Sequence, residues 1–152
     1  MALKGDRLVV AETADFRLNE VAERGYFVMH AGSGSEGYVK VVDTTVSATA
    51  ALVGCLLNDM IADTSATGPT NYQKAFEVFL GGKVPVMRIG RIRTDAIHEA
   101  TADSIDPGDR AYCNQSGILT DASTGDGYTY RPVGYFESDP DADGYAYVWV
   151  NL

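Results

Sequence analysis

The chain has 152 residues, 45% of them hydrophobic, enough for a single domain (1–152) that buries roughly 70% of its unfolded surface without metal or disulfide staples. No apolar run approaches the ~20 residues of a bilayer-crossing helix, and the start, Met1-Ala-Leu-Lys-Gly-Asp-Arg7, lacks the apolar stretch of a signal peptide. The formal net charge of −9 is divided unevenly: residues 1–94 carry 10 acidic and 10 basic side chains, whereas 95–152 carry 11 acidic ones against Arg110 and Arg131. That acidic end repels nucleic acid and anionic membranes, which are excluded as expected partners.

Short runs of β-branched and aromatic residues bounded by Gly, Pro, Asp or Asn predict strands at 7–11, 26–30, 38–42, 51–57, 75–80, 84–94, 110–113, 128–136 and 145–151. Turn chemistry separates them, at Gly32-Ser-Gly-Ser35, Thr67-Gly-Pro69, Gly81-Gly82, Asp106-Pro-Gly108, Gly125-Asp-Gly127 and 139–144. Segment 46–60 reads as either helix or strand; Gly54 in its middle favours a strand. Segment 95–102 has room for one helical turn. The expectation is an all-β fold, a compact β-barrel or β-sandwich with at most one short helix. Cys55 and Cys113 are far apart and lack metal-binding spacing, so both are expected as buried free thiols.

In the last strand Ala146, Val148 and Val150 alternate with Tyr145, Tyr147, Trp149 and Asn151. The aliphatic set suits a core. The aromatic set suits either a second core face or a partner interface, where Tyr and Trp are enriched. In Lys83-Val-Pro-Val-Met-Arg-Ile-Gly-Arg-Ile-Arg93 strict alternation puts Arg91 and Arg93 with Ile89, and Arg88 with Gly90 and Ile92. These arginines fit either a solvated strand edge or an electrostatic contact with the acidic part of a neighbouring subunit. The interface candidates are therefore Arg88, Arg91, Arg93, Tyr145, Tyr147 and Trp149.

Catalytic signals are weak. Asp139-Pro-Asp-Ala-Asp-Gly144 has the spacing of a calcium loop's first half, but position 12 is Val150 where a bidentate glutamate is required. An acidic hairpin turn is the better reading. His30 and His98 are the only histidines and sit in no Gly-x-Ser-x-Gly or His-Glu-x-x-His motif. Cys113 and His98 would make a nucleophilic pair only if the fold joined them. Gly32-Ser-Gly-Ser-Glu-Gly37 lacks the Lys-Ser/Thr of a phosphate loop. No catalytic, cofactor or metal residue is expected, and the chain reads as a non-enzyme.

Val53-Gly-Cys-Leu-Leu-Asn-Asp59, Pro85-Val-Met-Arg-Ile-Gly-Arg-Ile-Arg-Thr94, Gly108-Asp-Arg-Ala-Tyr112, Ser116-Gly-Ile-Leu-Thr120 and Val133-Gly-Tyr-Phe136 together resemble the capsid decoration, or cement, proteins of tailed bacteriophages. The resemblance spans roughly residues 50–152. It implies a β-barrel or β-sandwich (β-tulip-like) subunit, often a homotrimer, made in the host cytoplasm and bound to the virion exterior where major capsid proteins meet. By the same analogy residues of about 1–20 would form an arm reaching a neighbouring subunit. The alternative is a trimeric β-barrel enzyme or a carbohydrate-binding module using the aromatic stripe; stacking on sugars would need exposed rings beside carboxylates or amides.

Overall fold

A computed structural model describes residues 7–32, 36–43, 51–62, 77–98, 104–125 and 127–152. Among them there is no helix, so the all-β expectation holds. The strands are β1 (Leu8–Leu18), β2 (Phe27–His30), β3 (Tyr38–Val41), β4 (Leu52–Leu56), β5 (Asp59–Ile61), β6 (Glu77–Phe79), β7 (Lys83–Thr94), β8 (Arg110–Cys113), β9 (Leu119–Thr120), β10 (Thr124–Gly125), β11 (Tyr128–Thr129), β12 (Arg131–Phe136) and β13 (Ala146–Asn151).

Nine strands form one mixed sheet in the order β1-β3-β2-β4-β7-β13-β12-β8-β9, and β1 also pairs with β7. That extra pairing closes a five-strand circuit, β1-β3-β2-β4-β7 and back to β1, with β13-β12-β8-β9 continuing from it as an open wing. The circuit closes because β7 is long enough to share its two edges. Along one edge it pairs with β1 from Lys83 to Arg91. Along the other it meets β4 at Val86 and Met87, then β13 from Ile89 to Thr94.

Two apolar clusters fill this framework. In one, Leu18, Val28, Val39, Val53, Leu56, Val84 and Val86 pack together, so every strand of the circuit contributes at least one side chain. In the other, Phe27, Met29, Cys55 and Met87 pack against Ala111, Cys113, Leu119, Val133, Phe136, Ala146, Val148 and Val150 of the wing. Strand β2 separates the two: Phe27 and Met29 enter one cluster and Val28 the other. Strands buried on both faces read as unbroken apolar runs, as Phe27-Val-Met29 does. Gly54 lets β4 lie against β7, since a Cβ there would fall 2.3 Å from the Met87 carbonyl oxygen.

Several sequence expectations are corrected in detail. The first strand is much longer than 7–11; β1 reaches Leu18 by pairing with β7 across three register shifts and with β3 at Arg17 and Leu18. From Leu8 onward it therefore belongs to its own chain's sheet; residues 1–6 of the expected arm lie outside the described residues. The strand expected at 51–57 is β4, but a further short strand, β5, follows it, and residues 44–50 are not described. The expected strand 128–136 divides at Tyr130, with β11 leaving the main sheet to pair with β10. Residues 95–98 show no helical turn; Ile97 instead bridges Leu119, and 99–103 are not described. The stretches 33–35, 63–76 and 126, with the turns read there, also lie outside the described residues.

Alternation along β7 fails at its centre. Val84 and Val86 are buried, then Met87 is buried and Arg88 exposed, after which Gly90, Ile92 and Thr94 are buried. The break coincides with the register shift against β1, where Ala11 faces Ile89 and Glu12 faces Met87, leaving Arg88 without an opposite residue. Arg88 thus leaves the face that Gly90 and Ile92 occupy, contrary to strict alternation.

A candidate binding face of aromatic rings and arginines

Beyond Gly90 alternation along β7 is regular, and Ile92 and Thr94 turn inward while Arg91 is exposed and Arg93 half-buried. Strand β13 lies antiparallel beside it, pairing Arg93 with Tyr147 and Arg91 with Trp149. On β13 Ala146, Val148 and Val150 are fully buried, which leaves Tyr147 and Trp149 on the opposite, half-buried face. Next comes β12, with Tyr135 opposite Trp149, and then β8, with Arg110 opposite Tyr135. Register alone therefore builds a row across four strands, Arg91–Trp149–Tyr135–Arg110. Directly opposed residues lie about 4.5–5.5 Å apart at Cβ, close enough for these side chains to touch.

The second row joins Arg93 to Tyr147, whose carbonyl accepts from the Glu137 N–H at 2.8 Å. The Arg91 guanidinium lies 5.1 Å from the Tyr147 ring centre, and that of Arg93 lies 5.6 Å from Tyr147 and 5.8 Å from Tyr145. Tyr147 is thus flanked by two cations that the electron-rich face of its ring attracts. Arg91 Nε lies 3.9 Å from Glu137, an exposed pair of little energetic weight. Arg93 forms an ion pair with Asp141.

That ion pair closes the acidic turn. One Asp141 oxygen accepts from the N–H groups of Asp143 (3.0 Å) and Tyr145 (2.9 Å), while the other meets Arg93. The expected acidic hairpin turn is present, with Asp141 as its organiser. The hydrogen bond from Arg93 chiefly, then those from Tyr145 and Asp143, hold the Asp141 carboxyl below its ordinary 3.8. A group depressed in the folded state stabilises above its unfolded value and loses that contribution as pH falls through the folded one. A carboxyl-carbon NMR titration should place the Asp141 midpoint below 3.8 in the native protein, and Arg93→Gln should move it up. A midpoint unaffected by Arg93→Gln would refute the pairing.

Arg91, Arg93, Tyr145, Tyr147 and Trp149 are brought together on one face. Arg88 is not; it is exposed at the bulge, and its carbonyl accepts the Leu152 N–H at 3.0 Å. The arginines fitted either a solvated strand edge or a contact with the acidic part of a neighbouring subunit; within the chain, Arg93 pairs with Asp141 and Arg91 lies near Glu137. The register of β7 against β13 brings the β12–β13 connection over these arginines. Tyr135 and Arg110 complete the face and were not foreseen. The run Val133-Gly-Tyr-Phe136 hinted at Tyr135, since its neighbours Val133 and Phe136 are core residues, but nothing local indicates that Arg110 stands opposite.

Two shallow depressions lie along this face. One, of about 460 Å³, is bordered by Arg110, Tyr135, Trp149 and Asn151, with Gly108 and Gly134 presenting no side chain. The other, of about 570 Å³, is bordered by Arg91, Tyr135, Glu137 and Tyr147. Tyr135, 44% exposed, stands between them. Elsewhere, Cys113 is buried with Sγ 3.4 Å from the Asn114 carbonyl, and burial raises its thiol pKa, which leaves a protonated core residue rather than a nucleophile. His30 is exposed and stacks edge-on against Phe16 at 5.4 Å. No group of three His, Cys, Asp or Glu suited to a metal ion occurs among the described residues.

A sheet face presenting rings and cations can bind a surface. Compared with known proteins, the chain matches no family model and resembles no curated protein closely enough to indicate a relative.

Proposed function

We propose that this chain is a capsid decoration protein of a tailed bacteriophage, binding the outer shell surface and stabilising contacts between major capsid proteins. The carrying observation is the aromatic–arginine face, whose opposite side is a filled core. Such a face is held rigid before it meets a partner, which reduces the ordering cost of binding. The sequence resemblance supplies the partner, and the closed five-strand circuit supports the small-barrel form of the fold. Subunits would self-associate, as a homotrimer, and act by burying area across capsomer boundaries. Arg91 and Arg93, flanking Tyr147, orient the rings more than they pair across the interface.

Tyr and Trp at the centre of an interface commonly contribute 2 kcal/mol or more, whereas exposed ion pairs contribute about 0–1. Cosedimentation with expanded shells of its own phage should therefore show Tyr147→Ala or Trp149→Ala weakening attachment about 30-fold, and Arg93→Gln only about fivefold or less. A wild-type protein that stays in the supernatant at every concentration, and sediments alone as a monomer, overturns the proposal.

A further inference from the structure

We propose that the depression between Tyr135, Trp149, Asn151 and Arg110 is a binding site for a carboxylated oligosaccharide, independently of any attachment to a shell. The row Arg91–Trp149–Tyr135–Arg110 spans three interstrand steps, about 14 Å, with two rings in the middle and a cation at either end. Arg91 is engaged by Glu137 and Tyr147. Arg110 is exposed, and among the described residues it faces Tyr135 across the ladder rather than a carboxylate. An arginine so placed has its planar donor fork available for a carboxylate, which it can hold through two parallel hydrogen bonds.

The remaining lining selects the rest of the ligand. The Tyr135 and Trp149 rings offer apolar faces for the C–H side of a pyranose. The Asn151 side chain, on the same face of β13 as Trp149, has both donors and acceptors for sugar hydroxyls. Gly108 and Gly134 keep that part of the depression free of side chains. Gly134 cannot be replaced without movement, because a Cβ there would lie 1.8 Å from the Trp149 carbonyl oxygen. The shallow, open shape suits a flexible chain of polar rings better than an apolar ligand.

Trp149 is the only tryptophan, so its fluorescence reports this site alone. Titrating the intact protein with trigalacturonate should give a saturable change in emission that weakens as salt is raised. Maltotriose, which has no carboxylate, should bind at least about tenfold more weakly, the worth of one charge-assisted hydrogen bond. Arg110→Gln should remove that preference, and Arg110→Lys should restore only part of it. Tyr135→Ala should weaken trigalacturonate binding about fivefold by removing a stacking face. No saturable change up to about 10 mM, weaker than any useful affinity, would overturn the proposal. Equal binding of triglutamate would also overturn it, reassigning the site to acidic peptides. Cosedimentation of Arg110→Gln with shells separates the two proposals: loss of trigalacturonate binding with attachment retained supports a sugar site independent of the shell, and loss of both overturns that independence.

Discussion

Phe136→Ala is expected to lower the free energy of unfolding by about 3–5 kcal/mol, the usual cost of emptying a fully buried phenylalanine site. Phe136 is completely buried in the larger apolar cluster, next in sequence to Tyr135 and opposite Val148 on β13. Its backbone also anchors the turn beside the binding face: its N–H donates to the Asp109 carbonyl and its carbonyl accepts from Gly108, both at 2.8 Å. The cavity would therefore lie under the same strand that presents Tyr135. Urea unfolding should show a lower midpoint with the slope unchanged, because the surface exposed on unfolding is nearly the same. Phe136→Leu, which keeps most of the volume, should cost much less. Equal costs for the two substitutions, or a loss under 1 kcal/mol, would contradict tight packing at this position.

The second large effect is a loss of stability in alkali that depends on the two cysteines. Both are buried and free. Burial pushes the Cys55 thiol from 9.0 to about 12, against smaller lowering effects of Arg7 and a Gly25 backbone hydrogen bond. Burial also raises Cys113, and the neighbouring Cys55 adds to it. Each folded value is therefore above the unfolded one, so the contribution is complete below about pH 9. Above that the unfolded chain releases protons that the folded protein keeps, and stability falls until the folded thiols also ionise. Each thiol contributes a slope of about 1.4 kcal/mol per pH unit over that range. Urea midpoints measured under reductant from pH 8 to pH 11 should fall more steeply for the wild type than for the Cys55→Ala/Cys113→Ala variant. Parallel slopes would mean the thiols are not protonated in the native core.

Much of the fold is legible from local chemistry. The aliphatic face of 146–150 is the core face of β13, because period-two alternation on a half-buried strand survives any topology. Gly54 marks a strand, since β4 must approach the β7 backbone closely. The acidic run 139–144 is a turn, because aspartates accept from nearby backbone N–H groups within a few residues. The alternation of 146–150 and the turn at 139–144 depend on neighbours in sequence, so the sequence alone determined them, whereas Gly54 signals a strand locally for a reason that only the β4–β7 contact supplies.

Other features depend on distant partners. Whether Arg88 shares a face with Ile92 was decided by a register shift against β1, almost 80 positions earlier in the chain. Strand alternation is a property of one strand, whereas a bulge belongs to a pair. The arginines met Asp141 and Glu137 of their own chain because β7 and β13 are neighbours, an adjacency that no local signal in 83–94 encodes. Tyr135 and Arg110 joined Trp149 for the same reason: two interstrand registers align them, and nothing within two residues of either indicates it. Sequence thus determined which residues of β13 face inward and where the chain turns at 139–144, through local sterics and hydrophobic periodicity. The composition of the binding face was decided only by tertiary pairing, because it is assembled from single residues of four strands held in line by backbone hydrogen bonds.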